Sequence, residues 1–173
     1  MRQENSKPAN GCGCLVLLMC IGVLTAIAVP SYLNMANKAK QSEGKQYVGS
    51  MNRAQQAKFA ENSAFSNSIA AFKLGLKTET KNYKYSTLAT KQAAFNYGVS
   101  KQKTEKSYVG AVFLVPAKEV DPNAAKDEMT TTSILCEADD RRLIQLTPAD
   151  KPAEPIYQNG KVLCGKDTTE LNK

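Results

Sequence analysis

The sequence predicts an α+β fold. One long N-terminal helix, membrane-embedded in its first half and amphipathic in its second, packs on a four-stranded antiparallel sheet. Three observations carry that prediction. Residues Cys14–Leu33, CLVLLMCIGVLTAIAVPSYL, form a run without a single charge. The next thirty or so residues are rich in Ala, Lys, Gln and Met, with apolar side chains at helical spacing. From Tyr83 onward the pattern changes to apolar–polar alternation in four runs divided by polar turns.

The uncharged run comes first. At about 1.5 Å of rise per residue a helix of that length covers roughly 30 Å, the thickness of a bilayer's hydrocarbon core. A core helix of a soluble protein would ordinarily keep a polar face. A cleaved signal peptide would have an apolar region of about 7–15 residues ending at a small-x-small site. This run is longer, and Asn34, Met35 and a lysine-bearing helical stretch follow it. The reading is therefore a retained transmembrane helix over residues 14–33, behind a polar leader over 1–13. Within it Gly22, Thr25, Ala26 and Ala28 are small enough to let another helix approach closely. Pro30 predicts a kink near residues 26–30, because proline removes one backbone hydrogen bond and crowds the preceding turn.

The leader ends in Gly11-Cys12-Gly13-Cys14, which are candidates for processing or modification. Two thiolates cannot complete a tetrahedral metal site. A bacterial lipobox would put its cysteine after the apolar run, whereas a juxtamembrane cysteine can be acylated in some cells. The plainer reading is a flexible lead into the helix.

Composition narrows function. Setting the first 35 residues aside leaves about 138, enough for one domain with a modest core. The formal charge of +7 comes almost wholly from lysines scattered along that part. Scattered lysine reads as a solvated face, with an electrostatic footprint for DNA or anionic lipid as the sharper alternative. No basic stripe interleaved with aromatics appears, so nucleic acid is not the expected partner. Histidine is absent from the sequence, which removes the commonest general base, the usual nucleophile pairs and most zinc sites. The Gly-Lys pairs at 44, 160 and 165 lack the spacing of a phosphate-binding loop. No enzyme, cofactor or metal is expected.

Residues 34–62 continue the helix. Tyr47, Met51 and Ala54 share one face, with Val48 on its shoulder, and Gly44 and Gly49 weaken the helix by about 1 kcal/mol each relative to alanine. The globular part, 63–173, opens with a loop and a short helix around Ile69–Phe72 that ends near Gly75. The runs NYKYSTL, AAFNYGVS, SYVGAVFLVP and MTTTSILCEA supply the four strands. Asp121, Asp127 and Glu128 lie in a turn-rich connection without EF-hand spacing, so a solvated loop is the reading. Beyond Asp139 the chain reads as loop.

Cysteines fall into two groups: Cys12, Cys14 and Cys20 at or inside the uncharged run, Cys136 and Cys164 far beyond it. The last two are either a disulfide closing a loop of roughly 28 residues, worth about 3–4 kcal/mol on the chain-entropy model, or two unrelated thiols. Pairing would place the C-terminal part outside the cytoplasm.

This order of parts, and the wording IGVLTAIAVPSYLNMANKAKQSEGKQYVGSMNRAQQAKFAEN in particular, resembles the type IV pilins and the related pseudopilins of type II secretion, most closely the cyanobacterial pilin-like group. SYVGAVFLVP, TTTSILCEAD and VLCGK are similar to that group's later strands and second cysteine. The resemblance spans roughly 21–173. It implies a pilin-like fold, a Cys136–Cys164 disulfide closing the C-terminal loop, a cytoplasmic N-terminus, an extracytoplasmic globular part, and assembly through the N-terminal helix. The departure is at the front. Counting back from Pro30, the family's glutamate falls on Gly13 and its cleavage point on Ala9, and no acidic residue lies between Glu4 and Glu43. The lysines after the uncharged run would on their own favour a cytoplasmic C-terminus, whereas the implied disulfide and the family favour the opposite.

Three functions are weighed. The first is a membrane-anchored structural subunit of a type IV pilus or type II secretion pseudopilus, present in a surface filament. The second is a pilin-derived subunit that no longer polymerises and docks by its helix to a larger membrane complex. The third is a surface adhesin or DNA-uptake protein that uses its lysines.

Overall fold

The computed structural model describes residues 11–140 and 151–171, without the side chains of residues 11–14, 16, 25–31 and 33. It divides into two compact units, Met1–Lys38 and Ala39–Lys173. Helix α1, Gly11–Asn62, contributes to both. Of the predicted leader 1–13, residues 1–10 lie outside the described residues, as do the side chains of the small-residue cluster at Thr25, Ala26, Ala28 and Pro30. Helix assignment runs on through Pro30. Among the described residues no helix is long and apolar enough to cross a membrane.

In the second unit the alternating runs form β1 (Tyr83–Ala89), β2 (Ala93–Ser100), β3 (Tyr108–Pro116) and β4 (Met129–Ala138), close to their predicted limits. Each pairs antiparallel with the next in sequence. The predicted short helix is a 3-10 turn at Ile69–Phe72, ended by Lys73 in the left-handed region. The C-terminal part corrects two expectations. Residues beyond Asp139 are not all loop: β5 (Ile156–Gln158) and β6 (Lys161–Leu163) form a hairpin, and β7 (Thr168–Glu170) pairs with the end of β4. Among the described residues the sheet therefore has five strands, in the order β1-β2-β3-β4-β7. The sequence hid these strands because three residues are too few to display a period.

Two layers of core follow from the pleat. One face of the sheet presents Tyr83, Tyr85 and Tyr108 to Val48, Met51 and Ala54 of α1 and to Ile69 and Phe72. The opposite face carries Tyr97, Val109, Ala111, Phe113, Val115 and Ile134, covered by Tyr157, Val162 and Cys164. With both faces covered, β3 is buried along nearly its whole length, as a central strand of a two-sided sheet must be.

The buried face of α1 is also rotated from the one predicted. Val48 and Met51 are fully buried at its centre, while Tyr47 lies at the margin, stacked on Tyr85 with ring centroids 4.2 Å apart. Gly44 is no mere weakness in the helix: a Cβ there would come within 2.7 Å of the Tyr83 ring and 2.9 Å of Tyr108. Two amides, Asn52 and Gln55, are buried on this face as well.

Those amides form a continuous ladder. Gln55 Nε2 donates to Ser66 O (2.7 Å) and to Thr87 Oγ1 (2.9 Å), and its Oε1 accepts from the Ser66 N–H (2.9 Å). Thr87 Oγ1 donates to Asn96 Oδ1 (2.8 Å). Asn96 Nδ2 donates to Asn52 Oδ1 (2.9 Å), and Asn52 Nδ2 donates to Ile134 O (2.9 Å). The ladder ties α1 to β1, β2 and β4, and Gly110 of β3 leaves room for it: a Cβ at 110 would lie 2.3 Å from Asn52 Oδ1.

Gly110→Ala is expected to cost about 1–3 kcal/mol by overpacking, and Asn52→Ala a similar amount by leaving buried partners unsatisfied. The two changes together should cost no more than Asn52→Ala alone, because the shortened residue 52 makes space for the new methyl. Urea unfolding of the three variants checks this, and simple additivity would contradict the geometry.

Candidate functional site

Within the second unit, the start of its share of α1 lies at the end of the sheet where β1 and β3 begin. Residues 40–47 of α1 are fastened there to two turns. Lys40 Nζ lies 3.1 Å from Oε1 of Glu105, a fully buried carboxylate in the β2–β3 turn. Asn82 Nδ2 donates to Glu43 Oε2 at 2.7 Å, and the Lys77 N–H donates to Tyr47 Oη at 3.0 Å. The turns also hold each other: Lys101 Nζ donates to Glu79 Oε1 (2.6 Å) and to Thr80 O (3.1 Å). Tyr83 Oη donates to Lys106 O. A buried carboxylate with one cationic partner is a strong positional constraint, since removing the partner would leave the charge uncompensated.

At the far side of the sheet, Cys136 of β4 and Cys164 after β6 are joined, with Cα atoms 5.8 Å apart. The bond holds the β5–β6 hairpin over the outer face, and the next residues lead into β7. The pairing that the family resemblance implies is thus present, although it fastens a hairpin and a strand rather than a bare loop. Of the other cysteines, Cys20 is a free, exposed thiol. The side chains of Cys12 and Cys14 are outside the described residues.

Charges and hydroxyls follow their surroundings. Burial pushes the hydroxyls of Tyr83, Tyr85, Tyr97 and Tyr108 well above the ordinary tyrosine range. On the surface, hydrogen bonds from Lys58 and Lys101 hold the exposed carboxyls of Glu61 and Glu79 below the usual glutamate value. Among the described residues no group of His, Cys, Asp or Glu could hold a metal ion. In the connection before β4, Asp121 Oδ1 accepts from the Asn123 N–H and Glu128 Oε2 from the Ala125 N–H, so these carboxylates shape their own loop.

The first unit has a different character. Leu15, Leu17, Leu18, Met19, Ile21, Val23 and Leu24 are each 48–70% exposed. At 100° per residue these positions point all round the helix axis, so the apolar surface has no polar side. Gly22, one of the small residues singled out for helix packing, lies among them and is exposed.

A long helix laid across an antiparallel sheet, with a disulfide fastening the C-terminal segment, is a type IV pilin-like architecture. The chain belongs to the type IV pilin-like G and H family, whose model matches residues 41–165. That span takes in α1 from residue 41 onward, all of β1–β6 and both paired cysteines. No curated protein and no solved structure matches the chain.

Two outcomes follow from this geometry. Cys136→Ser with Cys164→Ser should lower stability by about 3–4 kcal/mol, read as a fall in the denaturant midpoint that reductant reproduces in the natural chain. An unchanged midpoint would show the bond to be mechanically idle. The buried tyrosines set an alkaline limit. Their folded pKa lies above the unfolded value of 10.0, so the stability they contribute is complete below about pH 10 and is lost as pH rises beyond it. Tyrosinate absorbance from these four should therefore appear together with unfolding; titration of all four near pH 10 in an intact fold would contradict their burial.

Proposed function

We infer that this chain is a membrane-anchored structural subunit of a type IV pilus or type II secretion pseudopilus, which assembles with other pilin-like subunits through α1. The observation that supports this reading best is the apolar surface on all sides of residues 15–24. Water would penalise such a helix, whereas lipid or a bundle of like helices would not. The uncharged run in the sequence, 14–33, matches a bilayer in length. The globular unit then sits on the oxidising side, in keeping with a Cys136–Cys164 bond, and the N-terminus in the cytoplasm. Subunits leave the lipid by exchanging helix–lipid for helix–helix contact, with Gly22, Thr25, Ala26 and Ala28 as the close-approach positions.

A second reading is favoured by one feature, the absence of an acidic residue between Glu4 and Glu43. A carboxylate within an apolar bundle is costly and needs a partner. A helix without one is stable alone in lipid, or docked by its small residues to a larger membrane complex.

N-terminal sequencing of the mature protein and inspection of sheared surface fibres decide between them. A shortened N-terminus in a chain recovered from fibres is the expected result. An intact Met1 in a chain found only in membranes, migrating with a larger complex on native gels, would favour docking; a free monomer there would exclude it.

A further inference from the structure

Part of β4 has an open edge with a cleft on either side of it. The backbone groups of β4 point alternately toward β3 and away from it. Glu128 O accepts from the Ala117 N–H and the Ala138 N–H donates to Ser107 O, so even-numbered residues face β3. Leu135 O accepts from the Leu171 N–H at 3.0 Å, so odd-numbered residues face outward. The chain fills that outward lane from Thr168 to Leu171. Beyond it lie the outward groups of Met129, Thr131 and Ser133. Among the described residues their only hydrogen bond is a long one, 3.4 Å, from Gln56 Nε2 to Thr131 O.

The pleat sends Thr131 and Leu135 to the α1 side of the sheet and Thr132 and Ile134 to the other. Between α1 and the open edge is a cleft lined by Gly49, Arg53, Ser133 and Leu171. On the opposite face Val115, Val120, Thr132, Val162 and Leu163 line a second cleft. Gly49 keeps the first one open: a Cβ there would meet only the Leu135 side chain, at 3.9 Å, so no internal contact demands glycine. Arg53 is exposed, donates to Ser50 Oγ, and forms no ion pair among the described residues.

We propose that this edge takes up an extended strand of another protein chain, about five residues long, antiparallel to β4 and in line with β7. Its backbone pairs with the outward groups of Met129, Thr131 and Ser133, and its side chains alternate between the two clefts. Those opposite Thr130 and Thr132 enter the second cleft, where the exposed Val120 and Leu163 favour apolar residues. The one opposite Ser133 enters the first cleft beside Arg53, which favours a carboxylate. Glu170 borders both clefts, but its partner Cys136 places it on the second cleft's face. A second copy of this chain is a poorer occupant. Its β1 edge is closed by Thr78 and Asn67. Pairing β4 with β4 antiparallel would turn residues 39–62 of the two copies end for end, so on the anchor reading they could not enter one membrane. The edge and both clefts lie within the second unit, and the proposed contact stands whether or not α1 enters lipid.

The test titrates the full-length, isotope-labelled chain in detergent micelles with the peptide acetyl-Glu-Val-Thr-Val-Thr-Val-amide. Hydrogen exchange at the Thr131 and Ser133 amides should slow several-fold, while the Thr130 and Thr132 amides, which face β3, stay as they were. Replacing the peptide's glutamate by lysine should weaken binding several-fold, and Arg53→Gln should erase that difference. Gly49→Leu fills the first cleft without touching the β3 ladder and should abolish binding. Thr131→Pro, which removes only an outward donor, should abolish it independently. No slowing at any soluble peptide concentration, or slowing that survives both substitutions, overturns the proposal. Slowing without peptide that rises with protein concentration would overturn the choice of occupant in favour of a second copy. Slowing already complete in the dilute free chain would mean that the chain covers its own edge, and would overturn the proposal as well.

Discussion

The contact between the Asn52 carboxamide and the bare backbone at Gly110 is the constraint on which the second unit depends. Apolar side chains alone would hold a helix on a sheet with some freedom to slide, since one leucine-like contact resembles another. An amide that must accept from Asn96 and donate to Ile134 O admits one position along the helix and one rotation about it. Gln55, one position short of a full turn further on, repeats the requirement against Thr87 and Ser66. Every side-chain oxygen in the ladder accepts a hydrogen bond, and that completeness is what makes a polar network inside a core tolerable.

With the helix fixed, the edges of the sheet become the next concern. The outer side of β1 is satisfied locally: the Tyr85 N–H donates to Thr78 O, and Asn67 bonds both the N–H and the C=O of Ala89. The other edge is closed only at its end, where β7 pairs with Cys136–Ala138. That pairing spans three residues, and the disulfide at Cys164, four residues before β7, brings the tail within reach of it. Without the cross-link, β7 would have to find its partner at the full entropic cost of a long loop. Among the described residues Met129–Ile134 have no strand on that side, and they lack the lysines or prolines that commonly guard an edge.

The four long strands were legible because alternation over seven to ten residues, ended by polar turns, has few other meanings. So was the 3-10 turn before Gly75. The buried amides were not, because Asn and Gln on an amphipathic helix look like its wet side. The signal that could have revealed them lay elsewhere, in Gly98 and Gly110. A glycine inside a strand commonly marks close approach of another group, and these two sit beside Val48 and Asn52. Helical spacing puts Tyr47 on one face with Met51 and Ala54, but its hydroxyl, which accepts from the Lys77 N–H, keeps it at the margin. The second core layer was missed for a related reason. The alternation in β2 and β3 is blurred because both faces are covered, and the covering hairpin is too short to announce itself. The family resemblance supplied the disulfide, which spacing alone left open.

The two parts of α1 make opposite demands on their surroundings, and this bears on how subunits could find a register in a filament. The stretch 15–24 is apolar on all sides and makes no distinction between neighbours in lipid or in a bundle. A buried carboxylate paired to a neighbour's amino group would impose a fixed axial step, yet no acidic residue lies between Glu4 and Glu43. Registration must then come from shape, from the close approach that small side chains allow, or from the globular units. Shape is a weak ruler along a helix, because the next turn offers nearly the same surface about 5.4 Å away. The globular units are better suited: their position relative to residues 40–47 is fixed by Lys40, Glu43 and Tyr47. On the assembly reading, the missing charge at the front of the helix therefore moves the control of spacing to the folded end.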